Sequence, residues 1–130
     1  MSVDVTARIL VVDDDESIRD FIEMALADNG YDVVTAADGA AALALVGPTR
    51  PHVILLDMRM PVMDGWTFAA AYRDLPEPRA AVVVMTAARD AGERARQIAA
   101  DAYLAKPFDL DDLLTCVARL SINKRGQDEV

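Results

Sequence analysis

The sequence predicts an α/β fold, a doubly wound parallel sheet of five strands covered by helices on both faces. Short, continuously apolar runs alternate five times with longer amphipathic runs, and the apolar runs lack an inside–outside alternation. Strands of that kind are buried on both faces, as in a parallel sheet packed between helices. The runs also stop on polar residues: Asp13, Asp57, Thr86 and Lys106. Right-handed crossovers leave few topologies, and sheets of this class bind ligands at the carboxyl ends of their strands.

Ile9-Leu10-Val11-Val12 is the first strand and stops at three aspartates. Ile18, Phe21, Ile22, Ala25 and Leu26 follow at i, i+3, i+4, i+7 and i+8, the inward face of a helix that Asn29-Gly30 ends. Val33-Val34-Thr35-Ala36 is the second strand, and Asp38 to Val46 is a short alanine-rich helix closed by Gly47-Pro48. Val53-Ile54-Leu55-Leu56 is the third strand. After a loop with Pro61 and Asp64-Gly65, Phe68, Tyr72 and Leu75 form the inner face of a helix that Pro76 and Pro78 break. Ala81 to Met85 is the fourth strand. Arg89 to Ala100 is a helix with a thin apolar face, Ala91, Ala95 and Ile98. Asp101 to Ala105 is a fifth strand around Tyr103 and Leu104, closed by Lys106-Pro107. The last helix starts at Asp109 with an acidic first turn and points Leu110, Leu113, Leu114 and Val117 inward; fraying is expected after Asn123.

Composition bounds the function. The 130 residues suit one domain with its own core. A net charge of −9 disfavours direct binding to nucleic acid or to an anionic membrane, and no apolar run approaches a membrane span. The lone cysteine, Cys116, forms no internal disulfide, and with no signal peptide the expected location is cytoplasmic.

The strand ends carry chemistry together. Asp13-Asp14 and Asp57 end the first and third strands, which can lie side by side. Two carboxylates ~4 Å apart repel by about 4 kcal/mol at an effective dielectric of ~20. Such a cluster shares a proton, sits beside cations or binds a metal. Few, hard oxygen ligands with open positions suit Mg²⁺, which keeps waters and takes phosphate oxygens. Lys106 adds an ammonium and Thr86 a hydroxyl, the donors a phosphoryl transition state needs around its equatorial oxygens. A nucleophilic carboxylate there would form an aspartyl phosphate.

These residues resemble the receiver domain of two-component response regulators, the flavodoxin-like fold of the chemotaxis receiver. The resemblance runs from Arg8 to about Leu120. It rests on Ile9 to Asp15, Leu56-Asp57-Met58-Arg59-Met60-Pro61-Val62-Met63-Asp64-Gly65, Val84-Met85-Thr86-Ala87 and Tyr103-Leu104-Ala105-Lys106-Pro107-Phe108. It implies a (βα)5 sheet in strand order 2-1-3-4-5, with residues 8–122 as the receiver, 1–7 as an N-terminal extension and 123–130 as a tail. Asp57 is then the phosphorylation site, fed by a sensor histidine kinase or a histidine phosphotransfer protein. Asp13, Asp14, Asp57 and the Met58 carbonyl would hold Mg²⁺, with Mn²⁺ as a substitute. Lys106, Thr86 and the Ala87 backbone would bind the phosphoryl group. Thr86 and Tyr103 would switch a face of the fourth helix, fifth strand and fifth helix toward a downstream protein target or a second copy. Arg59 and Ala88 occupy positions that tune phosphoryl lifetime in the family, and Arg59 could pair with the acidic cluster.

The sequence also departs from that family. Lys106 follows Thr86 by 20 positions, fewer than usual, and Ala99 or Ala100 stands where a glycine usually ends the fourth helix. A different helix end and an atypical partner face are expected. An aspartyl-phosphate phosphatase acting on external substrates is the rival reading, disfavoured because Arg59 stands where the haloacid-dehalogenase pattern needs an aspartate. A nucleotide-binding module is disfavoured because no glycine-rich loop follows the first strand. With only Ile122 to Val130 after the last helix, the chain is expected to be a stand-alone receiver or the receiver of a longer regulator. His52 reads as a surface turn residue, Cys116 as a small apolar side chain, and Met58, Met60, Met63 and Trp66 as packing.

Overall fold

The structure, a computed structural model, describes residues 6–76, 78–87 and 89–128, with backbone alone over 123–128. Five parallel strands, β1 (Arg8–Val12), β2 (Asp32–Ala36), β3 (Val53–Asp57), β4 (Ala81–Ala87) and β5 (Ala102–Lys106), lie in the order β2-β1-β3-β4-β5. The helices are α1 (Glu16–Asp28), α2 (Gly39–Thr49), α3 (Gly65–Arg73), α4 (Ala91–Gln97) and α5 (Leu110–Asp128). This is the doubly wound sheet expected from the unbroken apolar strands, in the flavodoxin-like order that the receiver resemblance implies.

Alternation along each strand divides the core in two. Leu10, Val12, Ile54, Leu56 and Val84 face α2, α3 and α4 through Ala42, Val46, Phe68, Tyr72, Ala95 and Ile98. Ile9, Val11, Val53, Leu55, Val83 and Met85 face α1 and α5 through Ile22, Leu26, Leu113, Cys116 and Val117. Each fully buried Leu or Ile contributes about 2 kcal/mol, so the sheet is the most firmly held part of the molecule. Parallel pairing sets Val12 beside Leu56 and Asp57 beside Met85, which brings the strand ends level.

Several helix details differ from the sequence pattern. Phe21 and Leu110 are exposed, because the inner stripes of α1 and α5 are narrower than their apolar spacing suggests. Leu75 is exposed as well, since α3 ends at Arg73. Helix α2 runs through Gly47-Pro48 to Thr49, whose hydroxyl donates to the Leu45 carbonyl, so Pro48 sits inside the last turn. Helix α5 continues past Asn123 to Asp128.

The largest difference is α4, which spans seven residues, Ala91–Gln97, within the expected stretch from Arg89 to Ala100. Its end is nevertheless a glycine-type cap built on alanine. Ala99 takes φ 54°, its N–H donates to the Arg96 carbonyl, and the Ala100 N–H donates to the Ala95 carbonyl. That is the Schellman pattern, with a Cβ where glycine is strain-free.

His52 is buried, which corrects the surface-turn expectation. Its Nδ1 accepts the Arg8 N–H, its own N–H donates to the Arg8 carbonyl, and its carbonyl accepts from Ala81. It therefore joins the starts of β1, β3 and β4. Cys116 is buried as expected, and burial pushes its thiol up. Among the described residues, no helix is long and apolar enough to cross a membrane.

Candidate phosphoacceptor site

Three consecutive aspartates follow β1 and do three different things. Asp15 caps α1, accepting from the N–H groups of Ser17 and Ile18 and from the Ser17 hydroxyl. Those bonds, the Ser17 hydroxyl foremost, hold its carboxyl below the ordinary range. Asp13 points into the protein and is fully buried, and the Asp15 N–H donates to its Oδ1 at 2.9 Å. Asp14 stays exposed at the mouth. A carboxylate oxygen from each of Asp13, Asp14 and Asp57 falls in one group whose members lie within 4.8 Å of one another.

The positive charge comes from β5. The Lys106 ammonium donates to Asp13 Oδ2 at 2.8 Å and stands 3.7 Å from Asp57 Oδ1. The sequence resemblance pairs Lys106 with Asp57; the shorter contact is to Asp13, and the ammonium bridges both. Asp13 is the deeper acid, so it gains most from a direct ion pair. The Lys106–Pro107 peptide is cis.

Burial, then the charge of Asp13, push the Asp57 carboxyl up to about 6, with Lys106 acting in the opposite direction. Arg59 reaches Asp57 through its backbone N–H, 3.3 Å from Oδ1. Its exposed guanidinium forms no ion pair with the three acids. Ala88 lies outside the described residues.

On the remaining strand ends, Thr86 is buried, and its hydroxyl makes no hydrogen bond among the described residues. Ala87 ends β4 opposite Lys106. The Met58 carbonyl accepts the Gly65 N–H at 3.1 Å, which leaves its second lone pair for another partner. Tyr103 is exposed, its ring edge turned toward Gly92 of α4. Met58 and Met60 are buried packing residues, as expected.

The group fits a hard divalent cation: three carboxylate oxygens, with no soft ligand among them. The Lys106 ammonium flanks it, and the Thr86 hydroxyl, without a hydrogen bond among the described residues, lies one residue past the position paired with Asp57. Three acids, an ammonium and a hydroxyl thus gather at the carboxyl ends of the strands.

One feature escaped the sequence reading. Trp66 does more than pack: its indole N–H donates to Gln97 Oε1 at 2.9 Å, and the Arg94 guanidinium lies over its ring at 5.2 Å. Both partners are on α4, about thirty residues away in sequence, and no local pattern announces them.

The fold is that of a doubly wound domain with an acidic group at its strand ends, and comparison with known proteins gives its family. Residues 9–118 match the family Response regulator receiver domain. The response regulator MprA of Mycobacterium sp. (strain KMS) is 39% identical over 128 residues, covering 94% of this chain and 53% of that protein. The chain thus spans about half the length of the curated relatives it matches. Among solved structures, Vibrio cholerae chemotaxis response regulator CheY4 is similar with a TM-score of 0.78 and 35% identity, over 89% of this chain and 99% of that one. A CheY-like receiver domain protein from Methanospirillum hungatei JF-1 is similar with a TM-score of 0.82 and 32% identity, over 92% and 98%. The chain belongs to the response regulator receiver domain family of two-component systems. Domains of this family interact with histidine kinases and bind Mg²⁺ at an acidic pocket.

Proposed function

We propose that Asp57 accepts a phosphoryl group from a phosphohistidine, on a sensor histidine kinase or a histidine phosphotransfer protein, and so switches a protein-binding face. The observation that carries the proposal is the Lys106 ammonium held between Asp13 and Asp57 beside a third acid. A carboxylate oxygen of Asp57 attacks phosphorus, the P–N bond breaks, and the imidazole leaves. Later hydrolysis breaks the P–O bond, returning the Asp57 carboxylate and inorganic phosphate.

Asp57 must be ionised to attack, which its value of about 6 allows at neutral pH. Asp13, Asp14, Asp57 and the Met58 carbonyl would hold Mg²⁺, or Mn²⁺ in its place. The bound ion supplies positive charge to the phosphoryl oxygens. Lys106 moves its attraction from Asp57 to those oxygens once the carboxylate is esterified, while Thr86 and the Ala87 N–H donate to them. The inward pull on Thr86 lets Tyr103 turn in, remodelling the face of α4, β5 and α5 for a protein target or a second copy. Arg59, and Ala88 two positions after Thr86 in the sequence, set how fast water reaches the phosphoryl group. Residues 8–122 act as the receiver, with 1–7 and 123–130 as flanks, in the cytoplasm and without direct contact to nucleic acid or membrane.

Intact mass after incubation with acetyl phosphate tests this. One Mg²⁺-dependent phosphoryl adduct is expected, absent from Asp57→Asn. An adduct that persists in Asp57→Asn, or none under any phosphodonor, contradicts the proposal.

A further inference from the structure

Helix α4 rests on β4 and β5 through a thin apolar face, and side chains of α3 add polar ties to its last turn. Its inward face is Ala91, Ala95 and Ile98, which leaves one large aliphatic anchor. A cavity of about 690 Å³, lined in part by Ala69, Tyr72, Ile98 and Ala99, opens beside its C-cap. The cap itself is an alanine in the left-handed region. An element with so little buried apolar contact belongs to the low-stability end of the molecule.

Two side chains of α3 make up the difference. Trp66 and Arg73 are i and i+7, two turns apart on one face of α3. Both reach the last turn of α4. The Trp66 indole N–H donates to Gln97 Oε1, Arg94 stacks on the indole and approaches the same Oε1 at 3.4 Å, and the Arg73 guanidinium donates to the Ile98 carbonyl. Trp66 is also tied to the phosphoacceptor. It follows Gly65, whose N–H donates to the Met58 carbonyl and whose Cα packs against Met58 and the Asp57 carbonyl. A change at Asp57–Met58 therefore has a short mechanical path to α4 through the start of α3.

We infer that the Trp66–Gln97–Arg94 cluster is a latch that holds α4 in its resting position and opens when Asp57 is phosphorylated. The inference rests on the proposed switching of the α4 face and adds a route to it separate from Thr86 and Tyr103. One neutral hydrogen bond and one exposed cation–π contact together bias the closed state by about tenfold. Such a bias is large enough to set resting activity and small enough for a charge change to overcome.

Two measurements decide it. Amide hydrogen exchange in the unphosphorylated protein should show α4 opening about tenfold more often in Gln97→Ala, with the β-strands unchanged. Gln97→Glu, which keeps an acceptor for both the indole and Arg94, should retain the native protection. Trp66 is the only tryptophan, so its emission reports the latch directly. It should shift as the phosphoryl adduct forms with acetyl phosphate and Mg²⁺, and not in Asp57→Asn. Equal α4 exchange in native and Gln97→Ala protein overturns the latch. So does an adduct, seen by mass, with unchanged emission. If no adduct forms, the phosphoacceptor proposal fails instead, and the exchange measurement still decides whether Trp66 holds α4.

Discussion

A Cβ on Gly65 would stand 2.6 Å from the Met58 sulfur and 2.7 Å from the Met58 Cα, so only glycine fits where α3 begins against the loop after Asp57. The contact is with backbone as well as side chain, and the Asp57 carbonyl at 3.0 Å closes the remaining direction. Asp57, the proposed phosphoacceptor, is thus gauged from behind by a helix start. Gly65→Ala should lose about 2 kcal/mol in urea unfolding, the usual scale of overpacking, and should slow adduct formation. Gly92→Ala is the matched control. Its Cβ position inside α4 meets only the Arg96 guanidinium at 3.7 Å and the Tyr103 ring at 3.9 Å, ordinary contacts, so alanine there should add about 0.5–1 kcal/mol. Equal effects at the two glycines would contradict the packing account.

Asp57 makes stability depend on pH in an unusual direction. Its carboxyl rises from 3.8 to about 6 on folding. The folded state therefore binds the proton more tightly, and the contribution of Asp57 is fully present below pH 3.8 and lost as pH rises through 6. Above that, ionised Asp57 works against the fold. Removing the charge with Asp57→Asn should raise stability by about 1–2 kcal/mol at pH 8, allowing for solvent screening at the mouth, and leave it unchanged near pH 3.5. Thermal unfolding at the two pH values reads this, and a variant less stable than native at pH 8 contradicts it.

Divalent cations should report the same group. Binding at the three acids requires the Asp57 carboxylate, so apparent Mg²⁺ affinity should rise about tenfold between pH 5 and pH 7. The melting temperature should rise with Mg²⁺, more at pH 7 than at pH 5. A Mg²⁺ effect that is the same at both pH values would place the ion elsewhere.

Lys106→Met removes the ammonium that touches buried Asp13. Leaving that carboxylate unpaired should cost about 3 kcal/mol in urea unfolding at pH 7. Asp13→Asn in the same background should recover most of the loss, since the uncompensated charge is gone. Failure of that recovery would mean that Lys106 acts through packing.

Ala99→Gly tests the α4 cap. The left-handed φ of 54° costs alanine about 1 kcal/mol that glycine does not incur, so the variant should gain roughly that much stability. A loss would mean that the alanine methyl packs usefully beside the cavity.

Much of this was legible because strands of a parallel sheet end where their apolar runs end. Asp13, Asp14, Asp57, Thr86 and Lys106 each stand at such an end, and the register brings them level without further information. Helix faces were harder. Phe21 and Leu110 fit the 3.6-residue spacing, yet spacing alone does not say how wide a stripe the sheet covers, and Leu75 fits it but lies past the end of α3. The burial of His52 was hidden because Pro51-His52 looks like a turn, and its partners on Arg8 and Ala81 are distant in sequence. Trp66 escaped for the same reason. Its function lies in Gln97 and Arg94, which only the packing of α3 beside α4 brings near.

The central claim is that Asp57 carries the phosphoryl group. Borohydride reduction of the protein after acetyl phosphate and Mg²⁺, followed by peptide mass mapping, locates an acyl phosphate by converting its aspartate to homoserine. The expected result is homoserine at position 57 alone, dependent on Mg²⁺ and reduced in Lys106→Met. Homoserine at Asp13 or Asp14, or an unmodified Asp57 in a protein that has gained phosphate, would contradict the account.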